Sequence, residues 1–176
     1  MSIFLETDQL TLNEPQLSDF DNLFKLQTDE QVMKYIGDGI RNRQEVIDFM
    51  EKSIQHFQKH GFGFCTVFEK ESKEFVGQAG LFYLVYDDTQ PDIEVGYRLA
   101  RKFWGKGYAT VLTKALIAWG FQNISVQKLV AVTHLDNTPS SRVLEKSGIV
   151  FCGHSQYYNQ KVKYYEINKS DWLTLK

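Results

Sequence analysis

Proline is scarce in this chain, with three in 176 residues. No Pro- or Gly-rich tract, low-complexity segment or repeat period interrupts it, so neither a linker nor a second domain is expected. Cysteine is rarer still. Cys65 and Cys152 lie in the apolar runs "FGFCTVF" and "IVFCG", and both are expected to be buried small hydrophobes in a reducing compartment. No apolar stretch approaches the roughly 20 residues that span a membrane. The opening "MSIFLETDQ" is acidic and its apolar run is too short for a signal peptide, so a cytoplasmic protein with no membrane partner is expected. An excess of one charge is also missing. Twenty Lys and Arg against 22 Asp and Glu leave a net charge of −2, and without a basic field nucleic acid is not the expected partner. What is present is 43% apolar and 24% charged residues. That is enough for one compact soluble domain over residues 1–176 whose core needs neither metal nor disulfide.

The patterning alternates between two periods. "QLTLNE" (9–14) alternates as a short strand. Ser18 stands where it would cap an amphipathic helix through Leu26, with Phe20, Leu23 and Phe24 on one face. Thr28 with Gln31 resembles a capping box for a short helix, "DEQVMKYI". From Gln44 to His60, Val46, Phe49, Met50, Ile54 and Phe57 recur at helical spacing, and Gly61 ends the run. Three strand-like segments follow, "GFCTVFEK", "EFVGQAGLFYLVY" and "DIEVGYRL", with "DDTQPD" turning the chain between the last two. A helix from Gly107 to about Asn123, a strand "KLVAVTHL", a helix "PSSRVLEKS" stopped by Gly148, and two closing strands near 149–156 and 162–168 complete the order. Neither strict strand–helix alternation nor an all-strand pattern fits. The order predicts an α/β (α+β) fold with a mixed sheet flanked by helices.

Between a strand-like run and a helical run stands "RKFWGKGYAT" (101–110), with Gly105 and Gly107 one residue apart. Helix N-termini expose unpaired N–H groups and the positive end of the macrodipole, and glycine lets backbone approach an anion closely. A strand, a Gly-x-Gly turn and a helix can therefore cradle a diphosphate; the alternative is an ordinary strand-to-helix turn. The dinucleotide fingerprint would need glycine at Thr110, and the P-loop spacing is absent.

"IEVGYRLARKFWGKGYAT" closely resembles the acetyl-CoA pyrophosphate motif of the GNAT superfamily of N-acetyltransferases, in particular its RimJ/RimL-like group. "HLDNTPSSRVLEKSGI" (134–149) resembles that group's second signature, and "ETDQLTLNEPQLSDFDNLFKLQTDEQVMKYIG" its N-terminal region. Lys102 and Ile149 depart from the family pattern, each by a residue of similar character. The resemblance implies the GNAT fold, a central mixed sheet of about seven strands with a splayed parallel pair. It implies acetyl-CoA as co-substrate, no metal, and direct transfer of the acetyl group to an amine acceptor. The pantetheine arm would pair with backbone groups of Tyr97, Arg98 and Leu99. The pyrophosphate would meet the N–H groups of Trp104, Gly105, Lys106, Gly107, Tyr108 and Ala109, with Arg101, Lys102 and Lys106 adding charge unless they form a solvated basic edge. Asn137 matches the family's contact to pantetheine, or caps the following helix, or does both. Ser140 matches the family's serine, as a contact to CoA or its thiol or as a local cap.

Glu94 is the candidate general base, at a position often acidic in the group. A carboxylate on an otherwise apolar strand tends toward a raised pKa, which suits that role; the alternative is a structural or substrate-orienting acid. Many members place a tyrosine general acid where this chain has Leu144, which leaves water or Ser140 to serve the departing thiolate. Tyr35, Phe82, Tyr83, Tyr86, Tyr157, Tyr158 and Tyr164 are candidate acceptor walls, although aromatics at strand spacing are more often core. Asp87, Asp88 and Asp92 read as a solvated turn rather than an amine attractor. His134 and His154 lack metal-ligand spacing, and neither cysteine is expected to carry an acyl group. The expected activity is acetyl transfer to a primary amine, foremost a protein or peptide N-terminal α-amine, by a monomer or homodimer. The alternatives are a polyamine or aminoglycoside acetyltransferase and a CoA-binding module without catalysis.

Overall fold

A computed structural model describes residues 2–175. In chain order its elements are β1 (Ile3–Glu6), β2 (Leu10–Asn13), α1 (Phe20–Gln27), α2 (Glu30–Met33), α3 (Arg43–His60), β3 (Phe64–Glu69), β4 (Phe75–Tyr83), β5 (Ile93–Leu99), α4 (Tyr108–Asn123), β6 (Lys128–His134), α5 (Thr138–Lys146), β7 (Val150–Tyr157), β8 (Gln160–Asn168) and α6 (Lys169–Thr174). Short 3₁₀ turns occupy Leu17–Asp19, Leu84–Tyr86 and Arg101–Phe103. The hydrogen-bonded strand order is β1-β2-β3-β4-β5-β6-β8-β7. β5 and β6 pair in parallel at Glu94↔Val130, whereas the ladders β1/β2, β2/β3, β3/β4, β6/β8 and β7/β8 are antiparallel. The expected mixed sheet is present, with eight strands rather than about seven. The extra strand is β1, whose half-exposed "IFLE" carries no period-2 alternation strong enough to read. No helix among the described residues is long and apolar enough to cross a membrane.

Local chemistry explains the helix ends, and two of them differ from expectation. Asn42 and Glu45 form a reciprocal capping box for α3, and Gly61, at φ +74°, closes it with an N–H bond to the Phe57 carbonyl. Asp19, not Ser18, organises the entry to α1 by accepting the Gln16 N–H at 3.1 Å. α2 is capped by Asp29, which accepts the N–H groups of Gln31 and Val32. Thr28 instead finishes α1, its hydroxyl bonding back to the Phe24 carbonyl at 2.8 Å. A hydroxyl and a carboxylate were adjacent, and the residue still in helical conformation bonded backward.

The chain forms two compact units. One holds the residues up to Gly80 together with Tyr97–Tyr108, the other Leu81–Gly96 and the residues from Ala109 onward, so β4 and β5 contribute to both. In the first unit, Leu23 and Leu26 of α1, Val32 and Met33 of α2, and Val46 and Met50 of α3 form one buried cluster, with Phe75 and Ala100 against it. In the second, α4 buries Leu112, Leu116, Ile117 and Phe121, and Phe121 meets Trp172 of α6 at a ring separation of 5.3 Å. Cys65 is buried, as expected. Cys152 is exposed, which corrects the reading of "IVFCG" as interior: β7 ends the sheet with β8 as its one paired neighbour, and its apolar residues Val150 and Phe151 are exposed too.

One feature of the first unit shapes β5. The β3/β4 register shifts between Val67 and Phe68, leaving Val76 as an extra residue on β4 beside Gly77, whose φ is +153°. A Cβ on Gly77 would overlap the Arg98 carbonyl oxygen and lie 2.8 Å from the Leu99 Cα. Gly77→Ala should therefore destabilise the protein by about 2–3 kcal/mol, lowering the thermal midpoint by roughly 4–12 °C in a circular-dichroism melt. An unchanged midpoint would mean that β5 yields without cost.

Candidate active site

The segment that joins β5 to α4 has the form expected of a cradle. Gly105 and Gly107 both take positive φ, +76° and +79°, and a Cβ on either would meet nothing within 4 Å. The backbone is therefore bare and open where α4 begins at Tyr108, and the first N–H groups of any helix lack intrahelical acceptors. Lys106 stands over the rings of Phe103 and Tyr108, 4.9 and 5.8 Å from their centres. The Tyr108 hydroxyl donates to Glu69, which also accepts from Ser72. These bonds hold the Glu69 carboxyl below its usual value, Ser72 contributing most, and raise the Tyr108 phenol.

Not every expected group is available in the same way. The Trp104 amide donates to the Arg101 carbonyl at 3.1 Å within the 3₁₀ turn, and its half-exposed indole donates to the Leu99 carbonyl at 2.8 Å. Lys102 is paired with Glu74 at 2.6 Å, and Arg101 with Asp29 at 2.8 Å. Arg98 has a buried side chain whose guanidinium lies 4.9 Å from the Phe49 ring centre and 5.2 Å from that of Phe64, so β5 alternates in its use of Tyr97, Arg98 and Leu99. Lys106 stands between the two glycines in sequence, and its charge also acts on Glu69.

In the second unit Glu94 is 6% exposed and in register with Val130. The Tyr158 hydroxyl donates to Glu94 Oε2 at 2.5 Å and accepts the Val85 N–H at 3.3 Å. Burial, and then the Glu94 charge, hold the Tyr158 phenol well above its ordinary range. Phe82 stacks on Tyr86 at 5.0 Å and packs against Gly96. The neighbouring acids are committed. Lys128 bridges Asp92 at 3.4 Å and Glu166 at 2.7 Å, and the Tyr164 hydroxyl reaches both carboxylates. The bond from Lys128 keeps the Glu166 carboxyl low, and although burial alone would lower the Lys128 ammonium, Glu166, Tyr164 and Asp92 raise it. Asp87 accepts both the hydroxyl and the amide of Thr89, which lower its pKa, as a solvated turn should.

Asn137 caps α5, its Oδ1 accepting the Ser140 N–H at 3.3 Å, so local capping is the role seen for Asn137. Leu144 is core. Burial pushes the Cys65 thiol well above its usual value, which disqualifies it as a nucleophile. No cluster of three or more metal-ligating side chains occurs among the described residues. Sequence reasoning placed Tyr158 only among seven possible wall residues. The "YYNQ" turn that carries it held no signal that one of its tyrosines reaches β5.

Residues 9–150 match the family described as the acetyltransferase (GNAT) domain. The uncharacterized N-acetyltransferase p20 of Bacillus licheniformis is 29% identical over 144 residues, which cover 80% of this chain and 78% of that protein. Two solved structures share the fold. Spermidine N-acetyltransferase from Vibrio cholerae, in complex with CoA and spermine, has a TM-score of 0.76 at 20% identity, covering 95% of this chain and 99% of that one. RimL, the ribosomal L7/L12 α-N-protein acetyltransferase, in complex with CoA, has a TM-score of 0.79 at 16% identity, covering 95% and 98%. If the glycine turn meets the CoA pyrophosphate, Gly107→Asp should weaken acetyl-CoA binding at least tenfold in calorimetry. A side chain at positive φ costs about 1–2 kcal/mol, so the variant should remain folded. Undiminished acetyl-CoA affinity would refute the cradle.

Proposed function

This chain belongs to the GNAT acetyltransferase family, and from that premise we propose that its acceptor is a protein or peptide N-terminal α-amine, with Glu94 as the general base. Its chemistry is acetyl-CoA-dependent N-acetyl transfer. On this reading the whole chain works as one cytoplasmic catalytic domain of the RimJ/RimL-like kind. The observation that carries the acceptor is the state of the acids around Glu94. Asp92 and Glu166 are held by Lys128 and Tyr164, and Asp87 by Thr89. A polyamine or aminoglycoside carries several ammonium groups and wants several carboxylates. Here one buried carboxylate, hydrogen-bonded to a neutral phenol, suits one amine.

The energetics agree with that assignment. An α-amine titrates near ~8, so making it neutral at pH 7 costs about 1–1.4 kcal/mol. A lysine amine near ~10.4 would cost roughly 4.6 kcal/mol. Glu94 accepts the ammonium proton, the neutral nitrogen forms the new C–N bond at the thioester carbonyl, the C–S bond breaks, and the second proton that the nitrogen sheds passes to the departing thiolate. A backbone N–H of Tyr97–Leu99 meets the oxyanion. Departure as thiolate near pH 7 costs about 2 kcal/mol for a thiol of pKa ~8.5, small enough for Ser140 or water to return the proton without a tyrosine at Leu144.

The test is CoA release with an acceptor panel and mass spectrometry of each product. The panel holds peptides with free N-termini, N-blocked lysine peptides, polyamines and aminoglycosides. Modification of the free N-termini alone is expected; transfer to polyamines or aminoglycosides instead would overturn the acceptor class. Glu94→Gln should lower kcat by about 10²-fold or more while acetyl-CoA affinity stays unchanged. Unaltered turnover would remove Glu94 from the mechanism.

A further inference from the structure

Two turns in left-handed conformation are joined through one phenolic oxygen. Tyr158 and Asn159, the two residues between β7 and β8, have φ of +54° and +59°, the double left-handed pattern of a tight hairpin turn. Asn159 is at home there, but a tyrosine is not. Val85 and Tyr86, in the turn that follows β4, have φ of +54° and +57°, and a β-branched residue in that region is a genuine outlier. Such residues persist only where their surroundings over-determine them, and they gather at functional sites. The Tyr158 hydroxyl joins them, accepting the Val85 N–H and donating to Glu94 Oε2.

We propose that Tyr158 is a positioning residue for the acetyl-transfer reaction: anchored by the Val85 amide, its hydroxyl fixes the rotamer of Glu94 and favours its ionised, proton-accepting form. The proposal rests on the reading of Glu94 as general base. The direction of the bond follows from counting protons. A phenol has one, and with the Val85 N–H already occupying a lone pair, that proton goes to Glu94. Glu94 Oε2 must then be an acceptor, and a hydrogen bond to the charged form of a carboxylate favours that form. The phenol's raised pKa, set first by burial, keeps it a donor across the working pH range. Oε1 lies toward Gly96, 4.0 Å from where a Cβ would sit, on the side of β5 that runs on to Tyr97. Of the other charged or titratable groups nearby, Tyr86 comes from the strained turn. Asp92 immediately precedes β5 and is held by Lys128 and Tyr164; Glu166 stands across Val130 in register and is held by the same two.

The experiment is the pH profile of kcat/KM for acetyl transfer to a peptide α-amine by the full chain. Tyr158→Phe keeps the ring and removes the donor. Ionised Glu94 is then less favoured, so it protonates at higher pH, and the acidic limb should move upward by about one pH unit or more. Activity lost near neutrality should return at alkaline pH, with acetyl-CoA affinity unchanged. A uniform loss at every pH, with the limb unmoved, would show a merely structural tyrosine and overturn the proposal. Incorporation of 3-fluorotyrosine at 158 guards against misfolding of the first variant. Its shape is nearly native and its phenol a stronger donor, so the limb should move downward, and an unshifted limb would count equally against the proposal. Glu94→Gln separates the two levels. If it abolishes the limb, Glu94 is the base and the Tyr158 results stand as read; if it leaves rate and limb intact, the base assignment fails and this proposal falls with it.

Discussion

The parallel pairing of β5 with β6 is the constraint on which the remaining architecture depends. Antiparallel neighbours can be joined by a tight turn, but parallel ones need a crossover, and here that crossover is α4. A crossover helix must begin just beyond the carboxyl end of the first strand, which is where open α/β sheets bind ligands. Residues 100–107 have to reverse the chain in a short space and still leave backbone bare at the helix start. Positive φ at Gly105 and Gly107 accomplishes both. The same strand that leads into this turn carries Glu94 at its paired end, so one strand supplies an acid and, three residues on, the backbone that runs into the cradle.

Around Glu94 the second unit sorts its charges into two sets. Asp92 and Glu166 share the one ammonium of Lys128 and the hydroxyl of Tyr164 where β5 and β6 begin. Glu94, deeper on the strand, meets a phenol. A buried carboxylate beside a cation is held as a firm anion, whereas a neutral donor orients it with a weaker pull on its charge. The strained residues at Val85, Tyr86 and Tyr158 are the steric cost of bringing that donor to it.

Much of the fold was legible because periodicity and punctuation carried it. The heptad-like apolar spacing of α3 and the stop at Gly61, the strands of 64–69 and 93–99, and the helix after Gly107 all stand close to where pattern placed them. β1 escaped because four half-exposed residues hold too little pattern, and α6 because "NKSDWLT" offers little apolar stripe. Two caps were assigned to the wrong neighbour, Ser18 for Asp19 and Thr28 for Asp29, since adjacent oxygen-bearing side chains compete and backbone conformation chooses between them. Cys152 looked interior because an apolar run does not say whether its strand is central or at an edge.

Neighbours along the chain encode a mixed sheet with helices, a glycine turn between strand and helix, and a lone acid on an apolar strand. Local backbone preference and period are encoded residue by residue, so they survive without a fold. Which side chains meet across distance is set by folding. That Tyr158 rather than Tyr157 or Tyr164 reaches Glu94, that Trp104 bonds the Leu99 carbonyl, and that Lys128 holds Asp92 and Glu166 all follow from strand register and from turns in left-handed conformation. A shift of one residue in the β6/β8 register would send Lys128 and Glu166 to opposite faces of the sheet.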